Sequence, residues 1–159
     1  MELSGSHTFP APQAVMWQVL TDPAVLRRCL PGCQTFDLQP DGGYHVVMSI
    51  GIAAIKGTYS GTVHMENEQP PTAYRLKVAA KGAAGFVNGH GDFTLAPDDK
   101  TPAHTRLTYT GHAQVGGKIA GVGQRLLGAG AQMVIGQFFK AMEKEAAQDQ
   151  SNPAATSGG

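Results

Sequence analysis

Cys29 and Cys33 stand four residues apart across Pro31-Gly32. A structural zinc site needs two further ligands, and a redox dithiol uses the shorter Cys-x-x-Cys spacing. The two thiols therefore read as one packed cysteine and one turn cysteine. The six histidines are His7, His45, His64, His90, His104 and His112, and none forms a His-x-x-x-His pair on a helix. Gly121-Val122-Gly123 imitates the opening of a dinucleotide loop. It lies inside a helical pattern, follows no parallel strand, and lacks an acidic residue at the required distance. No Ser/His/Asp set with a nucleophile turn is visible. Two phenols remain, Tyr59 and Tyr109, because a buried Tyr hydroxyl seeks a hydrogen-bond partner. Arg125, beside an apolar run, reads by default as a solvated cation. Its sharper reading is a polar contact at a pocket mouth, to a ligand carbonyl or a lipid phosphate. The residues thus predict no catalytic group, no metal and no tightly bound cofactor.

The elements that must position these residues are legible from periodicity. Residues 3–9 read as a strand. Pro12 opens a short helix, and Asp22-Pro23 caps a second that stops at Pro31-Gly32. Strands are expected near 34–39, 43–53, 56–68, 72–81, 85–96 and 104–115, separated by Gly- and Pro-rich turns. Alternation points Tyr44, Val46, Met48, Ile50 and Ile52 one way, with Tyr59, Val63 and Met65, then Tyr74, Leu76 and Val78, following suit. His64, His90, His112, Glu66 and Asp92 fall on the opposite, outer face. From about Lys118 to Ala147 the period becomes helical. Ile119, Val122, Leu126, Ala129, Met133 and Gly136 form one stripe, and Leu127, Val134, Phe138, Ala141 and Met142 another. The fold class expected is α+β: a curved antiparallel sheet wrapped around a long C-terminal helix. Residues 1–148 form the domain and 149–159 a disordered polar tail.

Small residues in the inward frame raise the question of a hollow. Gly57, Gly61, Gly89, Gly91, Gly111 and Ala113 share the frame of the large inward residues, and glycine in a strand fills no volume. Such glycines serve either tight helix approach and sheet bending or a cavity. If a cavity exists, the large residues expected to line it are Trp17, Met48, Tyr59, Met65, Phe93, Tyr109, Leu126, Met133 and Phe139. Arg125 stands at its mouth.

Bulk properties narrow the partners. The chain has 159 residues, Lys+Arg and Asp+Glu of 12 each, and no net charge, so it offers no electrostatic footprint for nucleic acid. At 42% hydrophobic it can bury one core. Its start shows no basic segment followed by an apolar run, and no stretch is long and apolar enough to span a membrane. A cytoplasmic location is expected, with docking at the inner membrane face left open.

Several ordered segments resemble the family of the carbon monoxide dehydrogenase G subunit over roughly residues 5–142. They are Gly5-Ser6-His7-Thr8-Phe9-Pro10-Ala11-Pro12 with Val15-Met16-Trp17; Asp22-Pro23, Leu26 and Cys29-Leu30-Pro31-Gly32-Cys33; Lys56-Gly57-Thr58-Tyr59-Ser60-Gly61; Thr105-Arg106-Leu107-Thr108-Tyr109; Ala113-Gln114-Val115-Gly116-Gly117-Lys118-Ile119-Ala120; Gly123-Gln124-Arg125-Leu126-Leu127; and Phe138-Phe139. The resemblance implies a helix-grip fold of the START-like (SRPBCC) superfamily with a pocket for an apolar ligand. A quinone or lipid is the expected ligand. The resemblance also implies a molybdenum hydroxylase or carbon monoxide dehydrogenase complex as partner, and recruitment of that enzyme to the membrane. Some relatives carry an extended C-terminal region suited to membrane attachment, whereas this sequence ends in a polar tail. Two alternatives stay open: a polyketide cyclase/dehydratase-like enzyme, since START-like folds host them, and an assembly factor that binds a protein partner.

Overall fold

A computed structural model describes residues 1–151, with side chains through Gln148. The elements run β1 (Glu2–Phe9), α1 (Gln13–Leu20), α2 (Pro23–Cys29), β2 (Cys33–Leu38), β3 (Tyr44–Ile50), β4 (Gly57–Gln69), β5 (Ala73–Gly82), β6 (Gly85–Pro97), β7 (Thr105–Gly116) and α3 (Gln124–Ser151). Two short 3₁₀ turns, Ala53–Ile55 and Lys118–Val122, precede β4 and α3. The tail expected over 149–159 lies, beyond Ser151, outside the described residues.

The strands form one antiparallel sheet in the order β1-β7-β6-β5-β4-β3-β2. Hairpins join every neighbour from β2 to β7, and β1 closes the far edge against β7. Residues paired across antiparallel strands share a face, so the register sorts the inner face into rows. Tyr74, Phe93, Tyr109 and Gly5 make one row. Leu76, Gly91, Gly111 and Leu3 make the next. Val63, Val78, Gly89 and Ala113 follow, then Gly61, Ala80, Val87 and Val115. Side-chain volume thus falls sharply from one end of the sheet to the other.

At the bulky end the interior is solid. Phe9, Met16, Leu107 and Met142 are fully buried, and α1, α2 and the C-terminal half of α3 pack there. Full burial of each such side chain contributes on the order of 1.5–3 kcal/mol. Rings fill the space between: Tyr74 stacks on Phe93 at 5.0 Å, and Phe139 meets Phe9 at 5.5 Å and Tyr109 at 5.8 Å. Several polar groups here find partners. Thr105 donates its hydroxyl to the Ala11 carbonyl at 2.7 Å. The Gln13 amide reaches the carbonyls of Leu95 and Pro71 at 2.8 and 3.1 Å, tying α1 to the sheet. Asp22 caps α2 by accepting from the Ala24 N–H at 2.9 Å, with Pro23 at the first helical position.

Two expectations need correction. β3 stops at Ile50 and the chain turns through Ala53–Ile55, so Ile52 lies outside the strand alternation expected up to 53. The long helix begins at Gln124, because Gly123 adopts φ +95°, a conformation that ordinary residues rarely take. Ile119 and Val122 belong to the separate turn before that break.

Two glycines show what these positions demand. A Cβ on Gly61 would sit 1.9 Å from the Ala79 carbonyl oxygen, so the sheet bends there only without a side chain. Gly136 lies within α3 with nothing in reach of an added Cβ. Gly61→Ala should therefore lower stability by about 1–3 kcal/mol. Gly136→Ala should raise it by roughly 0.5–1 kcal/mol. Urea unfolding of both variants checks the pair.

Candidate functional site: an apolar cavity under the long helix

At the other end of the sheet the small inner residues meet the N-terminal half of α3 across empty space. The cavity there measures about 350 Å³, which lies in the range of small-molecule sites. Its floor is the curved sheet, with Val46 and Met48 on β3, Val63 on β4, Ala80 on β5 and Val115 on β7. Its roof is Leu127, Ala131, Val134 and Ile135 of α3. Ile55 and Ile119, from the two 3₁₀ turns, close the end.

The wall is almost wholly apolar. Tyr59 borders the cavity and donates its hydroxyl hydrogen to the Ile55 carbonyl at 2.8 Å. Burial pushes its phenol above the ordinary tyrosine range, so it stays protonated. Ile55 itself seats on α3, where a Cβ on Gly130 would lie 3.4 Å from its side chain. The absence of a side chain at Gly130 lets the turn approach the helix.

The residues singled out from the sequence divide into three groups. Met48 and Tyr59 line the cavity. Trp17, Met65, Phe93, Tyr109 and Phe139 belong to the solid core, where their volume fills space instead of bounding it. Tyr109 spends its hydroxyl on the Gln132 side-chain oxygen at 2.9 Å. Leu126 and Met133 are corrected outright: they are 55% and 54% exposed on the far side of α3. The reason is the break at Gly123, which resets the helical phase, so a stripe extrapolated from Ile119 and Val122 lands on the wrong face. The second stripe, through Leu127 and Val134, faces the cavity. Arg125 is also exposed, away from the cavity wall. The wall residues passed over are mainly aliphatic, such as Val46, Val63, Val115, Leu127 and Ile135, with the smaller Ala80 and Ala131 among them, although alternation already turned Val46 and Val63 inward.

No charged side chain lines the cavity. Arg75 grips Asp92 through two hydrogen bonds of 2.7 and 3.1 Å on the outer sheet face, holding that carboxyl below the usual aspartate range. His64 pairs with Asp41 at 3.0 Å, and His90 stands 5.3 Å from His112. Arg28 holds Glu145 between α2 and α3 at 2.9 and 3.0 Å, which lowers the Glu145 carboxyl. Among the described residues no cluster of three His, Cys, Asp or Glu could hold a metal, and no helix is long and apolar enough to cross a membrane.

With this geometry in view, the sequence match is decisive. A family model describing the G subunit of carbon monoxide dehydrogenase (CoxG) matches residues 5–147. The chain belongs to the CoxG family. Among solved structures, a conserved protein from Geobacillus kaustophilus is 38% identical. Its TM-score is 0.89, and the match covers 94% of this chain and 97% of that one. A START superfamily protein from Mycobacterium smegmatis has TM-score 0.67 at 14% identity, covering 92% and 97%. The Zhui aromatase/cyclase from Streptomyces sp. R1128 has TM-score 0.67 at 14% identity, covering 97% of both chains. Among curated proteins no sequence matches. The fold is START-like: a CoxG chain whose curved sheet grips its last helix.

Cys29 and Cys33 are free, and burial raises both thiols, Cys29 to about 11. The thiolate is the reactive form. Iodoacetamide at pH 8 should therefore leave Cys29 unmodified in the folded protein and label it in denaturant, read by intact mass.

Proposed function

We propose that this CoxG chain is a binding module that holds an uncharged apolar small molecule and serves a molybdenum-containing dehydrogenase of the carbon monoxide dehydrogenase type. The observation that carries the reading is the cavity of about 350 Å³ with an almost wholly apolar wall. Leaving such a space empty forfeits dispersion contacts and hydrophobic burial that a filled interior would gain, about 24 cal/mol per Å³ in engineered cavities. An apolar ligand recovers both. A charged ligand would lose its hydration against a wall with nothing to pair it.

A quinone or a lipid meets these requirements, with its apolar part in the cavity. The partnership with the dehydrogenase rests on the family, whose name makes its members part of that enzyme. For membrane recruitment, the exposed Leu126 and Met133 on α3, with Arg125 beside them, give apolar and cationic contacts suited to a lipid surface. A cyclase-like activity, suggested by the aromatase/cyclase fold, would need a positioned acid or base. The cavity wall supplies only the protonated Tyr59, so the site favours holding over turnover.

The test is native mass spectrometry of the purified protein with lipid extraction, before and after adding ubiquinone and menaquinone analogues with short tails. A one-to-one adduct is expected. Ala131→Phe, which fills the cavity from α3, should abolish the adduct while leaving the fold intact by circular dichroism. Leu126→Ser and Met133→Ser should leave it unchanged. An adduct that survives Ala131→Phe would show that the ligand sits elsewhere.

A further inference from the structure

The outer face of the sheet, opposite the cavity, carries histidines in register. Antiparallel pairing sets Lys77 opposite His90, His90 opposite His112, and His112 opposite Glu2. Residues paired in this way share a face, so the four side chains form one row across β5, β6, β7 and β1. The His90 and His112 rings stand with centroids 5.3 Å apart and planes 37° apart. That separation fits two imidazoles on one ion. With each nitrogen about 2.0–2.1 Å from the metal, each ring centre lies about 3.2 Å from it, and two rings at a tetrahedral angle stand about 5.2 Å apart. The Glu2 carboxylate lies 3.3 Å from Nδ1 of His112. A carboxylate there favours the tautomer that keeps its hydrogen on Nδ1 and leaves the Nε2 lone pair for a metal, which is the common outer partner of a metal-bound histidine. Asp92, two residues along β6 on the same face, is close enough to both rings for its charge to act on them. Lys77 is exposed, so solvent screens its charge. His7 and His64 are instead engaged with Glu143 and Asp41.

We propose that His90 and His112 chelate one divalent transition ion of the nickel–copper–zinc group, with Glu2 orienting His112. Imidazole nitrogen suits these ions, whereas calcium and magnesium take oxygen. The ladder between β6 and β7 holds the two side chains at chelating distance before the ion arrives, so binding costs little ordering. Among the described residues no third His, Cys, Asp or Glu closes the site. Water fills the other positions, and the ion exchanges with solvent. Once bound, it ties together the strands that carry Val87, Ala113 and Val115 of the cavity floor on their other face. The site stands on its own, whether or not the cavity is filled.

The experiment adds zinc chloride to the full chain, freed of any affinity tag, and reads bound metal by equilibrium dialysis and the imidazole rings by long-range proton–nitrogen NMR. One zinc per chain is expected, with the His90 and His112 ring signals moving together. His90→Gln, His112→Gln and the double variant should lose affinity alike, by about tenfold or more, because a chelate needs both rings. Glu2→Gln should weaken binding by about tenfold. His45→Gln and His104→Gln should leave it unchanged. Circular dichroism checks that each variant keeps its fold, as expected of outer-face substitutions. The proposal is overturned if no zinc is retained, if the two rings respond independently, or if the double variant keeps the parent affinity because zinc sits on Cys33 or other histidines. An affinity unchanged in Glu2→Gln overturns the orienting role of Glu2.

Discussion

One helix must cover one sheet, and the two surfaces do not match in volume along their length. At one end Tyr74, Phe93, Tyr109 and Phe139 fill the gap ring against ring. At the other, Gly61, Ala80, Gly89 and Ala113 face Ala131 with little to fill it. A helix is too stiff to follow that change by bending through it. The aromatic end therefore fixes the distance between helix and sheet, and the small-residue end inherits a separation that its own side chains cannot close. The cavity follows from that mismatch. The same clamp allows the cavity to exist, since the solid end supplies the burial that the hollow end gives up.

The glycines belong to the same constraint. Added Cβ atoms would collide with the neighbouring strand at Gly61, Gly82 and Gly89, all within 2.3 Å of a carbonyl oxygen. These positions bend the sheet toward the helix. Close approach and a hollow interior looked like alternatives in the sequence, yet here one produces the other. Bare backbone lets the strands curl tightly, and a tightly curled sheet has a concave face that small residues cannot fill.

The architecture was legible because its signals are local. Alternation marks the strands, Asp22-Pro23 and Pro31-Gly32 bracket α2, and one long helical pattern must cover one apolar sheet face. Which residues border the cavity was legible only in part, because that depends on a relation between distant elements. Tyr109 and Phe93 have the size and polarity expected of a lining, but the register sets them opposite Phe139, where they become filler. Leu126 and Leu127 are adjacent leucines on two interleaved stripes. The choice between them turns on a single positive φ at Gly123, which periodicity cannot see. Met48 and Tyr59 were placed by strand alternation, which nothing interrupts between Gly57 and Gly61.

The separation of charge from the cavity bears on what the protein can do for a partner enzyme. The ion pairs and histidine contacts described above lie on the outer sheet face, along the sheet edges or between the helices, and the cavity keeps one protonated phenol. A guest would meet a wall that is almost wholly apolar, so its retention would depend on shape and apolar area. A carrier would gain from this arrangement: binding through shape and apolar area leaves a guest transferable, whereas a pocket with charges or several donors would hold it more tightly and release it more slowly. The 3₁₀ turn at Ala53–Ile55 shares in both roles. Its carbonyl orients the Tyr59 hydroxyl, and its isoleucine closes the cavity against Gly130. Closing the cavity and orienting the Tyr59 hydroxyl thus depend on the same three-residue turn, so any movement of that turn that opens the site also disturbs the Tyr59–Ile55 hydrogen bond.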